Sequence, residues 1–168
     1  MISRSLTTLI VCPVILKNKK RSFLTNIIFD TGSNVTLLTE RAARKLKLKG
    51  VKVPFSLKGI GNESVMKEEM TDIVQFKAEN TAQDFSTTLT DVKVVKEIAE
   101  NVPAEDWNNC KEKYNYMKDI ELQKPVRNGQ IDLLIGTDNM ELLIQKDIRK
   151  GKLKCVDGAR RWPGRERH

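Results

Sequence analysis

The sequence holds one histidine, His168, and it is the final residue. A Ser/His or Cys/His nucleophile needs an imidazole held by the fold, so that chemistry is disfavoured, and so is a histidine-built zinc site. Cysteine is almost as scarce. Cys12, Cys110 and Cys155 lie far apart, form no pair at metal-ligand spacing and are odd in number. They read as reduced thiols of an intracellular, cytoplasmic protein, and neither metal nor cofactor is expected. Long apolar runs are missing too. The stretches at 9–16 and 131–135 are interrupted or short beside the roughly 20 residues that cross a bilayer. The first residues lack the apolar stretch of a secretory leader, so no membrane partner is expected.

Aromatic residues are few, 5% of the chain, and are not interleaved with basic ones as a base-stacking platform requires. That scarcity weighs against the nucleic-acid reading invited by the net charge of +8. Residues 147–168 carry eight Lys/Arg against three Asp/Glu, so a net +5 sits in the tail. Arg160, Arg161, Arg165 and Arg167 there could touch RNA or acidic partners, but nucleic-acid contact is disfavoured as the function. By subtraction, a hydrolase built from this chain has to work with carboxylates.

What is present is mostly strand pattern. Residues 6–16 and 23–29, rich in Leu, Ile, Val and Thr, read as a hairpin around the charged turn Lys17–Arg21. Residues 30–34 are a loop and 35–38 a short apolar run. Thr39 is placed to cap a helix over 40–46, which Gly50 would end. Residues 51–57 and 64–76 form a long hairpin with the tip Gly59-Ile60-Gly61-Asn62, and 85–95 a further strand. The segment 97–129, with Pro103, Trp107 and Pro125, reads as a loop with helical turns over 107–117. Residues 131–135 are a buried strand broken by Gly136, after which Thr137 or Asp138 would cap a helix over 140–144. The expectation is an all-β fold with two short helices, a small closed or sandwiched sheet. One domain would fill 1–150 with an insert at about 97–130, followed by a poorly ordered basic tail over 151–168.

The chemistry points to Asp30-Thr31-Gly32. An aspartic protease needs two adjacent carboxylates sharing a proton. One takes a proton from water while the other polarises the scissile carbonyl. Such a site wants an Asp ending an apolar strand, then a small hydroxyl residue, then a glycine that lets the backbone turn tightly. Asp30-Thr31-Gly32 follows Ile27-Ile28-Phe29 directly. Alone the triplet is an ordinary turn. Its context sets it apart: a strand before it, an apolar segment and helix after it, the glycine-tipped hairpin, and Leu133-Leu134-Ile135-Gly136 about a hundred residues on.

This arrangement resembles the retropepsins, the aspartic proteases of retroviruses and long-terminal-repeat retrotransposons, and more narrowly the protease of BEL/Pao-type retrotransposons. The resemblance is carried by Phe29-Asp30-Thr31-Gly32-Ser33-Asn34, Leu37-Leu38-Thr39-Glu40, Ala43-x-Lys45-Leu46-x-Leu48, Val102-Pro103-x-x-x-Trp107 and Ile131-Asp132-Leu133-Leu134-Ile135-Gly136-Thr137-Asp138. It spans residues 6–144. It implies a retropepsin-like closed β-barrel with half of the active site in each chain. Asp30 would be the catalytic aspartate, Thr31 part of the grip between two loops, and Gly32 a neighbour of the substrate backbone. Ile135 and Gly136 would support the loop from below. Gly59, Ile60, Gly61 and Asn62 would form the flap that closes over the peptide, with Ser33 also on the substrate side. A Ser33 hydroxyl on the ionised dyad would lean the activity optimum to acid.

The chain has one Asp-Thr-Gly, so the second aspartate would come from a second copy in an isologous homodimer. The substrate would be an extended polypeptide, a retrotransposon polyprotein. The rival reading is a non-catalytic retropepsin-like module that binds protein or nucleic acid. Asp132 and Asp138 read as structural, at a strand start and as a helix cap. The basic run at 41–49 reads as a solvated helix face.

Overall fold

The computed structural model describes residues 11–59, 64–99, 118–119 and 123–144. Seven strands dominate: β1 (Val11–Asn18), β2 (Arg21–Phe29), β3 (Leu37–Thr39), β4 (Val51–Lys58), β5 (Ser64–Glu79), β6 (Ser86–Val95) and β7 (Ile131–Ile135). Two short helices accompany them, α1 (Glu40–Leu46) and α2 (Met140–Leu143). The expected helical turns over 107–117, the hairpin tip at 60–62 and the basic tail lie outside the described residues.

The β1–β2 hairpin turns at Lys19, whose φ is 53°, with Asn18 opposite Arg21. From β2 the ladder runs through β7 (parallel), β3 (antiparallel), β6 (parallel) and β5 (antiparallel). Residues 77–79 of β5 then pair with 15–17 of β1. That last pairing closes six strands into a barrel and removes two free edges. The other strand, β4, pairs with the first part of β5, from Ser64 to Ile73. The same edge of β5 thus serves β4 first and β1 afterwards, and the β4–β5 hairpin projects from the barrel wall.

Burial follows from this topology. All five residues of β7 are buried, as expected for a strand in the middle of a sheet covered on both faces. Ile27, Leu38, Leu133 and Ile135 join Leu16, Phe76, Leu89 and Val92 in the main core. Their strand neighbours Ile28, Leu37 and Leu134 face a second apolar cluster with Val11, Val95 and Ile131. Against that second cluster pack Phe55 and Leu57 of β4, and Val35 of the loop after β2. The projecting hairpin and the loop that begins at Asp30 therefore share one apolar support.

Helix α1 starts as its sequence dictates. The Thr39 side chain accepts from the Ala42 amide, and Ala42 and Leu46 are buried in the main core. Its end differs from expectation. Lys47, not Gly50, is the left-handed terminal residue (φ 50°, ψ 45°), and its amide donates to the Arg44 carbonyl at 3.1 Å. Gly50 instead makes a close approach, because a Cβ there would lie 2.3 Å from the Ile73 carbonyl oxygen. The second helix is likewise not capped by Thr137 or Asp138. A 3-10 turn over Thr137–Asn139 leads into α2 with no side-chain cap. Among the described residues no helix is long and apolar enough to cross a membrane.

Candidate active site

Strand β2 delivers Asp30 to the barrel rim. Its last residue, Phe29, lies beside Ile135, and the Asp30 amide extends the ladder by donating to the Ile135 carbonyl at 2.9 Å. The chain then turns sharply: the Ser33 amide donates back to the Asp30 carbonyl at 3.2 Å. Inside the turn the Gly32 amide donates to Asp30 Oδ1 at 2.8 Å. A Cβ on Gly32 would lie 3.1 Å from that same oxygen. The absence of a side chain at Gly32 thus lets the backbone sit against the carboxylate and fix its orientation.

The turn is held from below by the segment after β7. The Ser33 carbonyl accepts from the Thr137 amide at 2.8 Å and from the Thr137 hydroxyl at 3.2 Å. Gly136 packs so closely on Val35 that a Cβ would lie 2.4 Å from the Val35 carbonyl oxygen and 2.8 Å from its nitrogen. Beside this contact the buried Thr36 is a junction. Its hydroxyl donates to Asp138 Oδ1 at 2.6 Å and accepts from the Gly136 amide at 3.2 Å and Asn139 Nδ2 at 2.8 Å. Its amide donates to Asp138 Oδ2 at 2.8 Å. Two segments a hundred residues apart are joined by both backbone and side-chain bonds, so the Asp30 turn has little freedom to shift.

The sequence-expected residues fall into two groups. Asp30 and Ser33 are half-buried, Thr31 and Gly32 exposed, and Ile135 and Gly136 buried directly beneath them. Gly59 follows β4 and is half-buried, whereas Ile60, Gly61 and Asn62 lie outside the described residues. One expectation is corrected. The Ser33 hydroxyl does not reach the Asp30 carboxylate but donates to the Val35 carbonyl at 2.8 Å. The polar group that meets the carboxylate is the Gly32 amide. Asp138 is also reassigned, from helix cap to acceptor for Thr36.

Thr36, Asp138 and Asn139 are the supporting residues that sequence reasoning missed. Asp138 was read as a helix cap, and Thr36 and Asn139 were given no role at all. Nothing local could reveal a partner 102 residues upstream.

Among the described residues the one buried carboxylate, Asp132, lies at the far end of β7 and is fully enclosed. It accepts from the hydroxyls of Thr25 and Thr39, and Arg41 donates to both of its oxygens, from Nε at 3.1 Å. The Arg41 guanidinium also stands 5.6 Å from the Phe23 ring, as Arg127 does at 4.9 Å. Every lone-pair direction of Asp132 is occupied by donors, which suits a structural tie and leaves nothing to present to a substrate. Among the described residues no three Cys, His, Asp or Glu side chains gather as a metal site.

No family model and no curated protein matches the chain. Among solved structures, it is similar to EIAV protease complexed with the inhibitor HBY-793, with 14% identity over 88% of this chain and 100% of that one, at a TM-score of 0.40. At that identity and score the likeness fixes neither an activity nor a site.

Proposed function

We propose that this chain is one half of an aspartic endopeptidase, completed by a second copy and acting on extended polypeptide, a retrotransposon polyprotein being the expected substrate. The observation that carries this reading is the mounting of Asp30. Its carboxylate sits at the rim of a closed barrel, oriented by the Gly32 amide, on a turn bonded to Ile135 and Thr137. An exposed acid that needed only to be solvated would require none of this. A catalytic one requires a backbone that holds position to a fraction of an ångström.

In the proposed dimer the two-fold axis brings Asp30 against the partner's Asp30. One carboxylate, ionised, takes a proton from water as the water oxygen attacks the scissile carbonyl carbon. The other, protonated, donates to the carbonyl oxygen. Collapse of the resulting gem-diol breaks the C–N bond: the carboxyl that took the water proton passes it to the leaving nitrogen, and one diol hydroxyl returns its proton to the other carboxylate. Thr31, exposed beside Asp30, would reach across to the partner's loop. The β4–β5 hairpin, sharing its apolar footing with Val35, would close over the peptide and exclude water.

The test is a mixed peptide library at mildly acidic pH, with Asp30→Asn as control and the oligomeric state measured in the same buffer. Cleavage by wild type, lost in Asp30→Asn, is the expected result. A stable wild-type dimer that cleaves nothing would overturn the reading.

A further inference from the structure

We infer that the end of the barrel opposite Asp30 is a binding surface for the phosphate backbone of a nucleic acid. Two basic runs, remote in sequence, meet there. One is the β1–β2 turn, with Lys19, Lys20 and Arg21. The other follows α1, with Lys47 and Lys49. Together they line a cleft of about 590 Å³ whose remaining lining, Asn18, Leu46, Leu48 and Gln75, includes no carboxylate. All five cationic residues are exposed. The two runs are held in register by a hydrogen bond from Asn18 Nδ2 to the Leu46 carbonyl at 3.0 Å. The left-handed conformations of Lys19 and Lys47, with φ of 53° and 50°, turn the chain sharply at both places.

The sequence concealed this, because outside the tail its charge is nearly balanced. Folding separates the signs. Glu40 pairs with Arg44, Asp72 with Lys52, Glu79 with Lys17 and Asp132 with Arg41. Lys19, Lys20, Arg21, Lys47 and Lys49 are thereby left as a cationic cleft with no acid in its lining. Five like charges kept together repel one another, and a polyanion relieves that repulsion.

The composition of the cleft selects among polyanions. Protein interfaces are depleted in lysine and centred on apolar or aromatic anchors. Here Leu46 is buried, Leu48 half-buried and no aromatic residue lines the cleft. The same lack removes the apolar wedge that would anchor a basic patch in a lipid surface. Point charges on long stems, without a stacking ring, suit phosphate contacts that carry no base information. The surface and the Asp30 turn lie at opposite ends of β2, a nine-residue strand. At roughly 3.3 Å per residue this is a separation of about 27 Å along the strand. The surface therefore stands independently of the protease reading.

The experiment uses the full chain and a fluorescent 20-nucleotide RNA, in single-stranded and duplex form, titrated between 50 and 200 mM salt. With three to five phosphates neutralised, affinity is expected to fall about 20- to 500-fold over that range. The variant K20Q/R21Q/K49Q spares the left-handed Lys19 and Lys47. It is expected to weaken binding about tenfold or more at 50 mM and to flatten the salt dependence, with an unchanged thermal melt. The tail variant R160Q/R161Q/R165Q/R167Q is the control that must retain the difference made by K20Q/R21Q/K49Q. Wild-type binding that K20Q/R21Q/K49Q leaves unchanged would overturn the proposal. So would tighter binding to phosphatidylserine vesicles or polyglutamate than to RNA of equal charge.

Discussion

At Gly136 a single hydrogen atom separates fit from collision. Any Cβ there meets three backbone atoms of Val35 at under 3 Å, and backbone cannot rotate aside as a side-chain terminus can. Gly136→Ala should therefore cost at least the ~1–3 kcal/mol typical of overpacking. That corresponds to roughly 2–12 °C in melting temperature for a chain of this size. A melt within one degree of wild type would contradict the contact. Thr36 offers a gentler probe of the same junction. Thr36→Val keeps the shape but leaves the buried Gly136 amide and Asn139 Nδ2 without the hydroxyl that accepts from them, a loss of about 1–3 kcal/mol, which urea denaturation would register. Cys12 belongs to this scale as well, since burial pushes its thiol above the ordinary value. A raised folded-state value means the folded form holds the proton more tightly. The stabilisation is then present below the unfolded thiol's value and is lost as pH rises through the folded one. In a C110S/C155S background, iodoacetamide should label Cys12 more slowly than a cysteine peptide near neutral pH, and urea should abolish the difference. Equal rates in native buffer would show the burial to be wrong.

Among the elements, α1 shows how one side chain serves two structures. The Thr39 hydroxyl caps the helix by accepting from Ala42 and donates to Asp132 of β7. Removing it in Thr39→Ala loses a cap worth about 1 kcal/mol and a donor to a buried carboxylate worth about 1–3 kcal/mol. Thr39→Ser keeps both and should stay within about 1 kcal/mol of wild type. Chemical denaturation of the pair separates this double role from simple loss of a methyl group. The cap was legible in the sequence, as were the strand Ile131–Ile135, the β1–β2 hairpin and the Asp30 turn, because their signals are local. The end of α1 was not. Lysine carries no mark of a left-handed residue, and Gly50, which does, is needed for its approach to Ile73. Asp138 was misread for a related reason: a polar residue at a helix start looks like a cap until its distant partner Thr36 is placed. The closure of β5 on β1 was equally hidden, since no residue in either strand signals which edge it will meet.

For the whole molecule, the proposed enzyme makes a quantitative demand that a self-sufficient site would not. If each centre draws one aspartate from each of two copies, specific activity must rise with protein concentration through the dimerisation range. Mixing equal amounts of wild type and Asp30→Asn, with subunit exchange, leaves about a quarter of dimers with two intact aspartates. Activity should drop to roughly that fraction of an all-wild-type sample at the same total concentration. Half would instead indicate a site complete within one chain.

The barrel's two rims have different freedoms. Strand β6 ends at Val95 beside Thr39, and β7 begins at Ile131 beside Asn26, so the long connection between them leaves from and returns to the rim away from Asp30. Lengthening such an excursion costs only about 0.6 kcal/mol per doubling. A foreign peptide could be spliced in at that rim with the close contact between Gly136 and Val35, on the opposite side, left as it is.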